Sequence, residues 1–314
     1  MLAILSITFP IYAAVALGYF SVRKGVFKPD HMPVFGGYVM NIALPALLFN
    51  AVASRNVSEV FNLTYMAVFL VGGLMTIALA WVWFTAMGYS PSRRAVAIMG
   101  TTCPNSGFIG YPVLLLTFPA LAGQVLALNM LVENFVLIPI CLAMMEATKA
   151  GQDGHTLRKI ARILAGFFRR PMVIGLIAGL IVSLSGFALP DPVTRFLSML
   201  AASASALALF VIGGSLVGLP FRGNRSVAGQ IVLGKLVLHP AMVAVAMVLV
   251  SLVGLAPLSH ELRIAVIISA AIPMFSIYAL FAQELNHEGM ASIALITATS
   301  AAFITLNLLL LYLL

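Results

Sequence analysis

The chain is written as ten apolar runs, each close to the length of a membrane span, with the charges gathered between them. The runs fall at 3–22, 33–53, 63–88, 94–116, 122–147, 171–188, 194–218, 227–254, 261–283 and 289–313. About 20 residues of helix cross a hydrocarbon core of roughly 30 Å. Only 8% of the residues are charged and 62% are hydrophobic, too little polar sequence to cover a soluble surface. The sequence therefore predicts an all-α polytopic membrane protein with ten transmembrane helices. The first run has no basic leader and no small-residue cleavage site, so it reads as a span and not as a removable signal.

Charge supplies the direction of insertion. Of 17 Lys and Arg residues, 13 fall in the connections after the first, third, fifth and seventh runs, from Arg23 to Arg225. The alternate connections hold 3, namely Arg55, Arg195 and Arg263, and Lys235 lies inside a run. The cytoplasmic excess of basic residues then predicts a plasma (inner) membrane protein with both termini on the non-cytoplasmic side. The net charge of +8 is explained by these loops, which argues against a nucleic-acid partner. The basic connection 148–170 is predicted to be a cytoplasmic linker, with "RKIARIL" lying along the membrane surface. Cys103 and Cys141 both sit in apolar runs, so neither a disulfide framework nor a metal site is expected, and no cofactor is expected.

The linker separates a first group of five spans (1–147) from a second (171–314). An odd number of spans per group inverts the second relative to the first. Traces of a repeat are present. "RAVAIMGTTCP" places Pro104 ten residues after Arg94, and "RIAVIISAAIP" places Pro273 ten residues after Arg263. "ALPALLF" in the second span resembles "ASALALF" in the seventh. Paired interruptions in inverted halves point to a midplane binding site.

The stretch "TTCPNSGFIGYP" (101–112) explains the interruption. Pro104 lacks an N–H and its ring clashes with the preceding turn. Gly107 and Gly110 permit non-helical angles. Backbone groups freed in this way must line protein or water, not lipid. Thr101, Thr102, Asn105 and Ser106 add neutral donors, and the positive ends of half-helices favour anions. In the ninth span Ser276 follows Pro273, and Tyr278 borders the same predicted cavity. Asn41, one turn before Pro45, either shapes an unwinding beside the break or packs helices. The candidate substrate-binding set is thus Asn41, Thr101, Thr102, Pro104, Asn105, Ser106, Gly107, Pro273 and Ser276.

Three ionisable residues form a separate candidate set for coupling or charge. Glu133 is the one acid well inside a span, with Asn129 a turn before it; it reads either as a proton carrier or as a structural carboxylate. Lys235 and His239 share a helix face. The ammonium either stands where a cation would tie the break together, or offsets substrate charge, or snorkels to the surface. His239 before Pro240 reads as a kink that can also titrate. Gly213, Gly214 and Gly218 read as close helix contacts, and Trp81, Trp83 and Tyr89 as interfacial residues.

The segments "NIALPALLFNAV" (41–52), "CPNSGFIGYPV" (103–113), "GKLVLHP" (234–240) and "SAAIPMFSIYALFA" (269–282) resemble the auxin efflux carrier family, which includes bacterial permeases and malonate-transporter-like proteins. The resemblance implies a fold like that of bile-acid symporters and sodium/proton antiporters: two inverted five-helix repeats with crossed broken helices. It further implies a small organic anion as substrate and elevator-type alternating access, with the crossover at Pro104 and Pro273 and Asn105 beside it. A homodimer through a scaffold helix is consistent with that fold. The long central loop of many plant members is absent here.

The leading expectation is a permease for a small carboxylate such as malonate or an auxin-like acid, coupled to H+ or Na+ or to neither. The alternative is a cation/proton antiporter of similar fold, although 101–112 and 269–280 contain no carboxylate to hold a cation. An intramembrane serine enzyme using Ser215 in "GGSLVG" with His239 lacks a nucleophile elbow and an orienting acid. The absence of a phosphate-binding G-x-x-x-x-G-K-[ST] loop argues against ATP-driven pumping.

Overall fold

The computed structural model describes residues 2–53, 61–149, 170–187, 189–218 and 224–313. Most of the predicted linker 148–170, including RKIARIL, lies outside the described residues. Those residues form 12 helices. In chain order they are α1 (Leu2–Arg23), α2 (His31–Ala53), α3 (Leu63–Ala86), α4 (Pro91–Thr102), α5 (Ser106–Thr117) and α6 (Pro119–Lys149). They continue with α7 (Pro171–Ser185), α8 (Asp191–Ser215), α9 (Arg225–Leu252), α10 (His260–Ala271), α11 (Tyr278–Gln283) and α12 (Glu288–Leu313). Among the described residues α2, α3, α6, α8, α9 and α12 are long and apolar enough to cross a membrane. The protein is an all-α, multi-pass membrane protein. The fourth apolar run holds both α4 and α5, and the ninth both α10 and α11.

Helix ends follow local chemistry. Pro91 and Pro171 open α4 and α7, where a missing N–H costs nothing. Asn224 and Ser259 cap α9 and α10 by accepting from Val227 N and Leu262 N. Gly186 ends α7 in the left-handed region at φ 64°.

Four helices widen for one turn into π-helix, and a proline accounts for each. The wide turns are Val39–Ala43, Ser106–Gly110, Glu133–Leu137 and Gly234–Leu238. In every case a proline stands two residues beyond the turn: Pro45, Pro112, Pro139 and Pro240. A proline within a helix cannot donate to the carbonyl four residues back, and its ring pushes that carbonyl aside. One extra residue in the turn relieves the clash, and such bulges gather at functional sites. Asn41, Ser106 with Gly107, Glu133, and Lys235 each lie in one of these turns.

The chain divides into two compact units. The first comprises Met1–Asn62, Ser106–Leu128 and Gly166–Leu219. Here α1 packs along α8 and α2 along α7. Glycines let the backbones touch: a Cβ on Gly18 would overlap the Phe210 carbonyl, and one on Gly213 the Val15 carbonyl. Gly175 and Gly179 make the same approach to Pro45 and Phe49. In lipid, where apolar burial gives helices little reason to associate, this close packing is the main source of attraction. Gly214 also packs closely, against Met32, whereas Gly218 has open space and φ 83° and serves a turn.

The second unit comprises Leu63–Asn105, Asn129–Ala165 and Pro220–Leu314. It is built on α3 against α9, with α4, α10, α11, α12 and the later part of α6. Trp83 donates to Gln230 (3.1 Å), Gln230 donates to Tyr89 (2.7 Å), and Arg94 lies 5.3 Å from the Trp81 ring.

Candidate functional site

Within the second unit the two interruptions meet. The break after α4 and the break after α10 run past each other as a short antiparallel bridge between Pro104 and Met274. Asn105 N donates to Pro273 O at 2.9 Å, and Phe275 N to Cys103 O at 3.4 Å. Each break therefore supplies partners for backbone groups that the other left without a helix. Side chains continue the pairing, with Asn105 Nδ2 donating to Ser276 Oγ at 3.1 Å. Thr101, Thr102, Pro104, Asn105 and Pro273 are all buried, and Ser276 is half-buried.

The threonines differ. Thr101 donates to its own helix at Ala97 O (2.9 Å), and its methyl is where a Cβ on Gly234 would land. Its hydroxyl is engaged within its own helix. Thr102 Oγ1 is buried with no hydrogen-bond partner. A buried polar atom of that kind requires an explanation, and a bound ligand or water beside the break is one.

Lys235 does not reach the surface: it is 0% exposed. Its ammonium donates to Ala270 O at 2.6 Å and lies 2.7 Å from His239 Nδ1. Ala270 is in the last turn of α10, whose final carbonyls have no intrahelical donor and form the negative pole of the helix. The π turn that carries Lys235 thus delivers its amino group to the end of a half-helix. His239 is equally buried, and its Nε2 has no partner.

On the other flank, Asn129 donates to Ser269 Oγ (2.8 Å) and accepts from Tyr65 Oη (2.9 Å). All three are buried and tie α3, α6 and α10 together one turn before Pro273. Glu133 follows on α6 at 2% exposure. Tyr278 stands behind the break and not among its side-chain pairings. It is fully buried, its ring fills the space over Gly100, and its hydroxyl donates to Val96 O at 3.0 Å. Tyr278→Phe is expected to cost about 1 kcal/mol, the net worth of a typical hydrogen bond. The check is a denaturation midpoint in detergent, and an unchanged midpoint would mean that the bond contributes nothing.

Asn41, Ser106 and Gly107 belong to the first unit. Asn41 is exposed and donates to Gly37 O across its wide turn (2.8 Å). Ser106 and Gly107 are buried in the turn that opens α5.

The family model for membrane transport proteins matches residues 3–310, nearly the whole chain. This is a membrane transport protein of the auxin efflux carrier family. It is 26% identical over 227 residues to the uncharacterized transporter YfdV of Escherichia coli (strain K12), covering 70% of each chain. It is 27% identical over 241 residues to a "Putative malonate transporter" of Rhizobium meliloti (strain 1021), covering 74% of this chain and 72% of the relative. Over 145 residues it is 24% identical to auxin efflux carrier component 7 of Arabidopsis thaliana, covering 46% of this chain and 23% of the relative. The family is one of transporters and not of enzymes.

Several groups at the crossover of this transporter carried no sequence signal. Tyr65 and Ser269 are single polar residues in apolar runs, and only folding brings them to Asn129. The Ala270 carbonyl becomes an acceptor only because α10 stops.

Proposed function

We propose that the protein is a secondary active permease for a small organic anion, of the carboxylate class that includes malonate and auxin-like acids. The observation that carries the reading is the hydrogen-bonded crossing of two broken helices, Asn105 N to Pro273 O and Phe275 N to Cys103 O. Half-helix ends and unsatisfied donors beside such a crossing suit an anion. The absence of Asp and Glu from 101–112 and 269–280 supports an anion over a cation, as does the buried ammonium of Lys235. The names of the malonate and auxin relatives agree.

In this reading 1–147 and 171–314 are inverted five-helix repeats, 148–170 is a cytoplasmic linker, and both termini lie outside the cytoplasm. The equal Arg-to-Pro spacings at Arg94–Pro104 and Arg263–Pro273 support the repeat. Transport is of the elevator type, with the crossover carried as part of one rigid body. Lys235 fills the place of a coupling cation at α10, so substrate binding is expected to be indifferent to sodium.

Binding tests this in purified protein. Malonate, indole acetate and other monocarboxylates and dicarboxylates are titrated by calorimetry, with and without sodium. Saturable binding of at least one carboxylate in sodium-free buffer supports the reading; binding of none opposes it. The second reading, a cation/proton antiporter, is favoured by one feature, the buried Glu133. Cation-driven pH changes in vesicles without any organic anion would select it.

A further inference from the structure

Cys103 and Cys141 face each other at the crossover, and the permease reading leaves them unused. Their sulfurs are 3.9 Å apart, both side chains are 0% exposed, and both thiols are free. Cys103 ends α4 and its carbonyl takes the Phe275 N–H, while Cys141 lies in the later part of α6. Cys103 thus lies in the crossing itself and Cys141 in a helix packed against α4.

We propose that this pair is a two-coordinate site for a soft monovalent cation, Cu(I) or Ag(I). Thiolates select such ions, whereas hard cations demand several oxygens and retained water. Coordination number decides among the soft ions. Among the described residues no group of three or more His, Cys, Asp and Glu stands together, so a tetrahedral zinc site is not available. Two opposed sulfurs in apolar surroundings suit a d10 ion that is content with two ligands. With metal–sulfur bonds of about 2.3 Å, a linear S–M–S unit spans about 4.6 Å. The pair at 3.9 Å opens by well under 1 Å to accept it. A disulfide, at about 2.05 Å, demands a closure more than twice as large.

Two thiols release two protons on binding, and a bis-thiolate complex of a monovalent ion carries one negative charge. The ammonium of Lys235 is within electrostatic reach of Cys103. Lys235 offsets that charge, and Glu133 stands within electrostatic reach of the same groups. Occupancy pushes the end of α4 away from α6 and alters the bridge that Cys103 and Phe275 share, so transport is arrested.

Silver serves as a redox-inert probe. Purified protein in detergent is equilibrated with Ag(I) buffered by excess histidine, and bound metal is counted against the Cys103→Ser/Cys141→Ser double variant to remove methionine and histidine binding. The expected result is one silver per chain, falling to none in either single variant. Two silvers per chain, no capture above the double variant, or capture that survives loss of one cysteine would overturn the proposal. A disulfide found before metal is added would overturn it as well. The flux arm rests on the permease reading: silver stops uptake by the wild type and spares Cys141→Ser. If the protein moves no anion at all, the permease reading fails while the metal count still decides the site. Silver bound without inhibition removes the arrest from the proposal.

Discussion

Replacing Lys235 with alanine is expected to destabilise the protein by about 2–6 kcal/mol, because two buried acceptors lose their donor at about 1–3 kcal/mol each. The acceptors are Ala270 O and His239 Nδ1. Neither can turn to water, since both Ala270 and His239 are 0% exposed. Opposing this loss is the relief of no longer burying an ammonium, which by itself costs several kcal/mol. Lys235→Met separates the two effects: it keeps the length and volume of the stem and removes only the charge and its hydrogen bonds. The expected order of stability, measured by denaturation in detergent, is wild type above Met above Ala, with anion uptake lost in both variants. A Met variant as stable as the wild type would mean that desolvation cancels the bonds. The ammonium would then not be what holds the end of α10.

The second large effect lies in the first unit. Gly213→Val is expected to prevent α1 and α8 from packing and to leave the protein aggregated or degraded. The obstacle is the Val15 carbonyl, which is backbone in the middle of a helix and cannot swing aside as a side-chain tip does. Overpacking an ordinary core costs about 1–3 kcal/mol; a backbone overlap repeated on the opposite side at Gly18 and Phe210 leaves no room for that relaxation. Gly229→Ala in α9 is the control. A Cβ there meets nothing within 4 Å, so a small gain of about 0.4–1 kcal/mol from reduced unfolded-state freedom is expected. The comparison is read as yield and monodispersity in detergent. Equal behaviour of the two variants would mean that the α1–α8 contact is looser than described.

The parts legible in the sequence are those written in local chemistry. Apolar length gave the helices, and prolines among hydroxyl and amide residues gave the breaks at Pro104 and Pro273. The prolines also encode the π turns, but the rule becomes visible only once Pro45, Pro112, Pro139 and Pro240 are seen to stand at the same offset from four wide turns. Pro45 and Pro240 alone suggested local distortion. Pro112 read only as part of the break at 101–112, and Pro139 gave no hint at all. Long-range pairing was not legible. Asn129 bonds to Ser269 across 140 positions and to Tyr65 across 64, and no spacing rule links them. The direction in which Lys235 points was equally open. A lysine four residues from a histidine fits a surface-seeking stem as well as one turned toward a helix end, and only the position of the Ala270 carbonyl decides. The division into two units, each drawing helices from both halves of the chain, follows from tertiary contacts that no window of sequence contains.

The most direct test of the crossover as a substrate site is uptake of radiolabelled carboxylates into proteoliposomes by the wild type and by Asn105→Ala. Asn105 bonds to Ser276 through its side chain and to Pro273 through its backbone, so the alanine variant keeps the backbone bridge and loses only the amide. Saturable uptake by the wild type, reduced at least about tenfold in the variant, corresponds to about 1.4 kcal/mol or more lost from transport at the crossover. Uptake by Asn105→Ala equal to that of the wild type would contradict the account and move the substrate away from the crossing helices.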